Sequence, residues 1–239
     1  MNEGVKVLWN EHEDIYTLMK MRVESGRMAF EREKQNSPVN PEFCEWPESY
    51  FNETIWFDEM PGNLVSCVMS LDPSKGIDSK RGDYSAFVIV ALSSNGLLYV
   101  DADLGRRPIP ELVSQGVELY KKYRPDVFVI EANQFQSLLH DDFCRQFAEN
   151  GLAHVAPYPM TNRINKTVRI RTLGPALSAG KLRFRNNSAS VKLLVEQMKM
   201  FPVGDHDDGP DALEMSMRTL DELHSPTTFH ESVNCRMVP

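Results

Sequence analysis

Cysteine is scarce in this chain and scattered: Cys44, Cys67, Cys144 and Cys235 form no C-x-x-C pair. That spacing argues against a zinc site and a disulfide framework, and it fits a reducing cytoplasm. No apolar run approaches the roughly 18 residues that a membrane helix needs, so no membrane association is expected. The N-terminus lacks the pattern of a signal peptide. A G-x-x-x-x-G-K-[ST] phosphate loop is missing, so the chain by itself is not expected to hydrolyse ATP. Internal repeats and low-complexity tracts are absent too. What remains is a chain of 239 residues, 41% hydrophobic and 25% charged, long enough to bury a full core.

The net charge of −8 argues superficially against a nucleic-acid partner, but its distribution does not. Residues 161–200 carry nine basic side chains (Arg163, Lys166, Arg169, Arg171, Lys181, Arg183, Arg185, Lys192 and Lys199) against Glu196 alone, a net of +8. The remainder of the chain therefore carries −16. Segregation this strong gives an acidic protein a basic footprint. Arg163, Lys166 and Arg169 recur every three residues on a predicted helix, which places them along one stripe. In Lys181-Leu182-Arg183-Phe184-Arg185 the alternation sets three cations on one strand face and two apolar side chains on the other. A stripe and a ladder of cations suit a phosphate backbone, contacted whatever its sequence. A solvated surface is the plainer explanation, and the shortage of compensating acids counts against it.

Periodicity sketches the fold. Residues 13–34 read as an amphipathic helix with Ile15, Leu18, Met19 and Val23 on one face. Pro38, Pro41, Pro47 and Pro61 then break any pattern through residue 62, as in an arm packed against something. Strands are expected over residues 63–71, 84–92 and 97–104, with Ser94-Asn95-Gly96 turning between the last two, so the three form an antiparallel meander. Pro110 opens a helix that runs through Lys122, and Val127 to Ile130 is a short apolar run of the kind buried in a parallel sheet. A helix over 137–149 and a short strand over 154–157 follow. Strand, helix, strand and helix after a meander mean a mixed sheet flanked by helices, an α/β fold. The expected organisation is an N-terminal helix and arm (1–62), a main domain (63–224) and a loose tail (225–239).

Acids stand where the apolar elements end. Asp72 closes the first strand and Glu131 the VFVI strand. Asp205-His206-Asp207-Asp208-Gly209-Pro210-Asp211 places four carboxylates within seven residues, just ahead of a helix whose buried face carries Leu213, Met217 and Leu220. Pro210 suits the first turn, and Asp208 and Asp211 lie one turn apart. Helix capping accounts for one or two of these aspartates; a site for a hard cation accounts for all four. If the first and fourth strands are neighbours, Asp72 and Glu131 sit side by side at the sheet edge. The last helix then brings Asp208 and Asp211 onto them. Such a cluster holds two divalent ions roughly 4 Å apart, the arrangement of phosphodiester hydrolysis. Solvated strand ends explain each acid singly. Asp101 could approach the cluster from the third strand; Asp141-Asp142 fits a helix surface. His140, His154 and His206 lack zinc-ligand spacing.

The order of these motifs resembles the nuclease domain of tailed-phage terminase large subunits. The resemblance rests on Ser70-Leu71-Asp72-Pro73-Ser74, Gly82-Asp83-Tyr84-Ser85-Ala86, Val129-Ile130-Glu131-Ala132-Asn133, Asn165-Lys166 with Arg169-Ile170, and Asp208-Gly209-Pro210-Asp211-Ala212-Leu213. It spans residues 65–223, while Ala29 to Pro38 looks like the family's motor-to-nuclease connection. It implies an RNase H-like fold and an endonuclease that cuts double-stranded viral DNA during packaging in the bacterial host cytoplasm. Asp72, Glu131 and Asp211 would be the catalytic, metal-binding acids for two Mg²⁺ or Mn²⁺ ions, and Asp208 an auxiliary ligand. Lys166 and Arg169 match a basic helix near DNA. Asp83 occupies the family's Gly-Asp-Tyr position, where turn geometry and support of the site are both open. The family's ATPase motor is missing, so the chain is either an excised nuclease half or works with a motor encoded separately, beside a small subunit and a portal. Two rivals remain: another RNase H-like nuclease, such as a junction resolvase or RNase H, and a non-catalytic DNA-binding or assembly module.

Overall fold

In a computed structural model, the structure describes residues 12–24, 43–73, 84–131 and 136–225. Asp83, Ala132 and Asn133, the 29–38 connection, the second half of the first expected helix and the tail beyond Ser225 lie outside those residues. The described part of that helix, α1 (Ile15–Glu24), buries none of its residues, and Val23 is exposed. The arm is less irregular than its prolines suggest. Two 3-10 turns, Glu48–Phe51 and Glu53–Ile55, lead into a two-residue strand, β1 (Trp56–Phe57). Trp46, Phe51 and Ile55 are buried, and Trp46 stacks on Phe201 with ring centroids 5.3 Å apart.

The expected meander forms. β2 (Leu64–Asp72) pairs antiparallel with β3 (Ser85–Ser93), and β3 pairs antiparallel with β4 (Leu98–Gly105). After α2 (Ile109–Tyr123) the chain returns as β5 (Val127–Glu131), parallel to β2 with Leu71 opposite Ile130. The first and fourth expected strands are therefore neighbours. α3 (Gln136–Glu149) precedes β6 (Tyr158–Met160), which lies parallel to β5. Two short helices, α4 (Lys166–Arg171) and α5 (Gly174–Ser178), lead to β7 (Leu182–Arg185), and the chain finishes with α6 (Ala189–Met200) and α7 (Asp208–His224). The seven strands run in the order β1-β7-β4-β3-β2-β5-β6, a mixed sheet flanked by helices as expected.

Alternation along the strands divides the core between the two faces. Val68, Val88, Val90, Val129, Leu182 and Phe184 face α6 and α7. Met69, Leu71, Phe87, Ile89, Phe128 and Ile130 face α2 and α3, where Phe143 and Phe147 complete an aromatic cluster. Gly116 permits the close approach of α2, because a Cβ there would lie 2.6 Å from the Phe143 ring and 2.9 Å from that of Phe87. On the other face, the Ser70 hydroxyl donates to the Ala212 carbonyl at 2.6 Å, and the Ser216 hydroxyl donates to Ser70 Oγ at 2.8 Å. Fully buried hydroxyls must find such partners. Here they lock α7 across the middle of the sheet.

One strand is displaced from its expected place. Residues 154–157 form turn and extended chain, and β6 follows at Tyr158–Met160. Val155 is buried from the turn, so its apolar character reports packing and not strand pairing. Among the described residues Cys44, Cys67 and Cys144 are free. No described helix is long and apolar enough to cross a membrane.

Candidate active site

Side-chain parity fixes where the acids point. Asp72 shares the α7 face of β2 with Val68 and Ser70, and Glu131 shares the same face of β5 with Val129. α7 is clamped over that face, and its first turn carries Asp208 and Asp211. Asp72, Glu131 and Asp211 each bring a carboxylate oxygen to within 4.8 Å of the others. Asp211 is 0% exposed and Asp72 6%.

Capping does not explain the aspartates. Asp207 stands at the N-cap of α7 without accepting a side-chain cap bond. Gln197 on α6 supplies the acceptor, its Oε1 taking the Gly209 N–H at 2.9 Å. The approach is tight: a Cβ at Gly209 would lie 2.7 Å from that oxygen and 2.8 Å from Leu194 Cδ1. Asp208 accepts the Tyr84 N–H at 3.1 Å, which ties the α7 start to β3. The positive end of the helix dipole favours carboxylates in this first turn.

Two cations serve the cluster. Lys166 places Nζ 3.3 Å from Asp72, 2.9 Å from Asp207, 3.5 Å from Asp208 and 3.6 Å from Asp211. Arg169 is buried; its guanidinium meets both oxygens of Asp211, lies 3.5 Å from Glu131 and 3.4 Å from Glu214. A further set of residues closes a ring behind the acids. Asn162 donates to Glu131 at 2.9 Å, Arg218 donates to Asn162 at 2.6 Å, and Arg218 pairs with Glu214 at 3.3 Å.

Burial pushes the Asp72 carboxyl well above its ordinary range; Lys166 opposes that rise, while Glu131, Asp211 and Asp208 add to it. Asp211 is pushed up to about 6, chiefly by burial, against Lys166 and Arg169. Glu214 is raised by burial and held down in part by Arg218 and Arg169. Burial disfavours the charge on Lys166, but Asp72, Asp211 and Asp207 more than reverse that and hold it above the usual lysine range. Desolvated acids that repel one another are relieved by a cation among them. The donor set is all carboxylate oxygen, which suits magnesium or manganese.

The expected basic stripe and ladder need correction. Arg163 precedes α4 and is exposed, whereas Arg169 points inward to Asp211 and Lys166 leans over the acids, so the three do not share an outer face. On β7 the alternation holds, but Arg183 and Arg185 lie on the α2/α3 face, opposite to the acids. Arg185 pairs with Asp101 at 2.6 Å, and Tyr123 donates to the same carboxylate. Asp101 is thereby part of a separate ion pair and not of the cluster. Lys181 is exposed at the start of the strand. His206 packs edge-on against Tyr84. Asn162, Glu214 and Arg218 were not singled out from sequence as site residues, and Asp207 entered only as one of the four clustered aspartates. Glu214 and Arg218 could have been, because they follow Asp211 at one-turn spacings on the same helix.

Residues 69–220, more than half of the chain and the stretch that holds all of these acids, match the family described as "Terminase RNaseH-like domain". Among solved structures the chain is similar to the HK97 bacteriophage large terminase, with 14% identity, 84% of this chain and 49% of that protein covered, and a TM-score of 0.51. It thus spans about half the length of that protein. It also matches RuvC of Thermus thermophilus (14% identity, 63% of this chain and 90% of that one, TM-score 0.36). A third match is the Fowlpox virus resolvase in complex with Holliday junction DNA (13% identity, 66% and 99% covered, TM-score 0.38). No curated protein matches the chain. With an RNase H-like mixed sheet and a family match that spans the acid cluster, the chain belongs to the terminase RNaseH-like domain family.

Proposed function

We propose that this chain is a metal-dependent endonuclease that cuts double-stranded viral DNA during genome packaging. The observation that carries the reading is the convergence of Asp72, Glu131 and Asp211, far apart in sequence, at one buried point inside a terminase RNaseH-like domain. Those three, with Asp208 beside them, would hold Mg²⁺ or Mn²⁺, two ions when DNA is engaged. Bound there, the ions supply Lewis acidity and a water of lowered pKa for phosphodiester hydrolysis. The protein's own part is to place the oxygens. Arg169 orients Asp211 and Asn162 orients Glu131, so both carboxylates are set before substrate arrives. No side-chain nucleophile is required.

Arg163, exposed at the entrance to α4, and Lys166 beside the acids are the residues suited to meet phosphates at the cut. Lys181 and Arg183, on another part of the surface, would meet only duplex that runs beyond it. The likeness to a bacteriophage large terminase extends the proposal to an ATPase motor, a small terminase subunit and a portal as partners, in the host cytoplasm. Plasmid nicking in Mg²⁺ or Mn²⁺ tests the reading. Asp72→Ala and Asp211→Ala are expected to abolish cleavage, and full activity in either rejects the site. Branched DNA or RNA–DNA hybrid cut far faster than linear duplex would transfer the assignment to a resolvase or RNase H activity.

A further inference from the structure

The cluster already contains one partly exposed cation. Lys166 Nζ lies between 2.9 and 3.6 Å from carboxylate oxygens of Asp72, Asp207, Asp208 and Asp211, and Glu131 is not among them. The three acids whose oxygens converge on one another are Asp72, Glu131 and Asp211. Asp72 and Asp211 thus belong to two adjoining oxygen sets. One has Glu131 as its third member, and the other surrounds an ammonium.

The two cations at the site differ in how they are held. The Arg169 side chain is 5% exposed and fixed by Asp211, Glu131 and Glu214, so it cannot leave without stranding buried charge. The Lys166 side chain is 34% exposed and carries its charge on a flexible four-carbon stem. A lysine so placed neutralises acids that would otherwise repel one another, and it can withdraw when a stronger cation or a nearby phosphate is offered.

We propose that Lys166 stands in for the second divalent ion in the DNA-free protein, so that the Asp72–Glu131–Asp211 set takes one ion while the Asp72–Asp207–Asp208–Asp211 set is closed by the lysine until DNA draws it away. This rests on the metal-dependent reading above. Lys166 is then a positioning residue that sets the metal stoichiometry and couples loading of the second ion to substrate. The ammonium occupies the carboxylate oxygens that a second ion would need, so the lysine and a second ion exclude one another.

Calorimetric titration of Mn²⁺ into the full chain without DNA tests the proposal. Wild type and Lys166→Arg are expected to bind one ion per chain. Lys166→Met and Lys166→Gln, both tolerable at a side chain one-third exposed, are expected to bind two, the second at least about tenfold tighter than any second site in wild type. Two ions in wild type, or one ion of unchanged affinity in both neutral variants, would overturn the proposal and leave the metal site standing. No Mn²⁺ binding by wild type would overturn both.

Discussion

Arg169 grips both carboxylate oxygens of Asp211, with Nη1 2.6 Å from Oδ1 and Nη2 3.1 Å from Oδ2. One hydrogen bond to Oδ2 and a close ion pair to Oδ1 hold a fully buried acid in place. Removing the guanidinium leaves Asp211, Glu131 and Glu214 facing one another with their main buried counter-ion gone. Arg169→Ala is therefore expected to destabilise the fold by about 3–5 kcal/mol. Chemical denaturation checks this. A loss under about 1 kcal/mol would mean that Arg169 is a surface contact after all.

Asn162 connects Glu131 to Arg218 and lies outside the set of acids that would touch the ion. Its amide orients the Glu131 carboxylate, so Asn162→Ala is expected to weaken Mn²⁺ binding about 10- to 100-fold. Stability should fall by only about 1 kcal/mol, the worth of one ordinary hydrogen bond. Titration calorimetry and denaturation measure the two effects separately.

The raised pKa of Asp211 has a definite sign in stability. Its carboxyl ionises near 3.8 in an ordinary setting and at about 6 when folded, so the unfolded chain releases this proton first. The contribution to stability is fully present below about pH 4 and is lost as pH rises through about 6, on the order of 3 kcal/mol in all. A divalent ion binds the ionised form and reverses the loss. The rise in melting temperature caused by Mn²⁺ is expected to be larger at pH 7.5 than at pH 5. In Asp211→Asn that rise should be much smaller at both values.

Much of the architecture is legible in the sequence because it follows from local pattern. Apolar runs that end in Asp72 and Glu131 become β2 and β5, and the Asp-rich start with Pro210 becomes the first turn of α7. Even the adjacency of Asp72 and Glu131 follows once β2 and β5 pair in parallel. What local pattern cannot supply is the side of an element that turns inward. The three-residue spacing of Lys166 and Arg169 describes a shared helix face, and only packing against α7 decides that this face meets acids and not solvent. The alternation on β7 likewise separates Arg183 and Arg185 from Leu182 and Phe184 without saying which sheet face each pair takes. β1 is only two residues long and pairs in parallel with β7 from more than a hundred residues away, so no local signal marks it.

Anomalous diffraction from crystals soaked in manganese tests the convergence of the acids most directly. The expected result is a manganese peak ligated by carboxylate oxygens of Asp72, Glu131 and Asp211 together. A map with no peak there, and the three side chains turned away from one another, would contradict it.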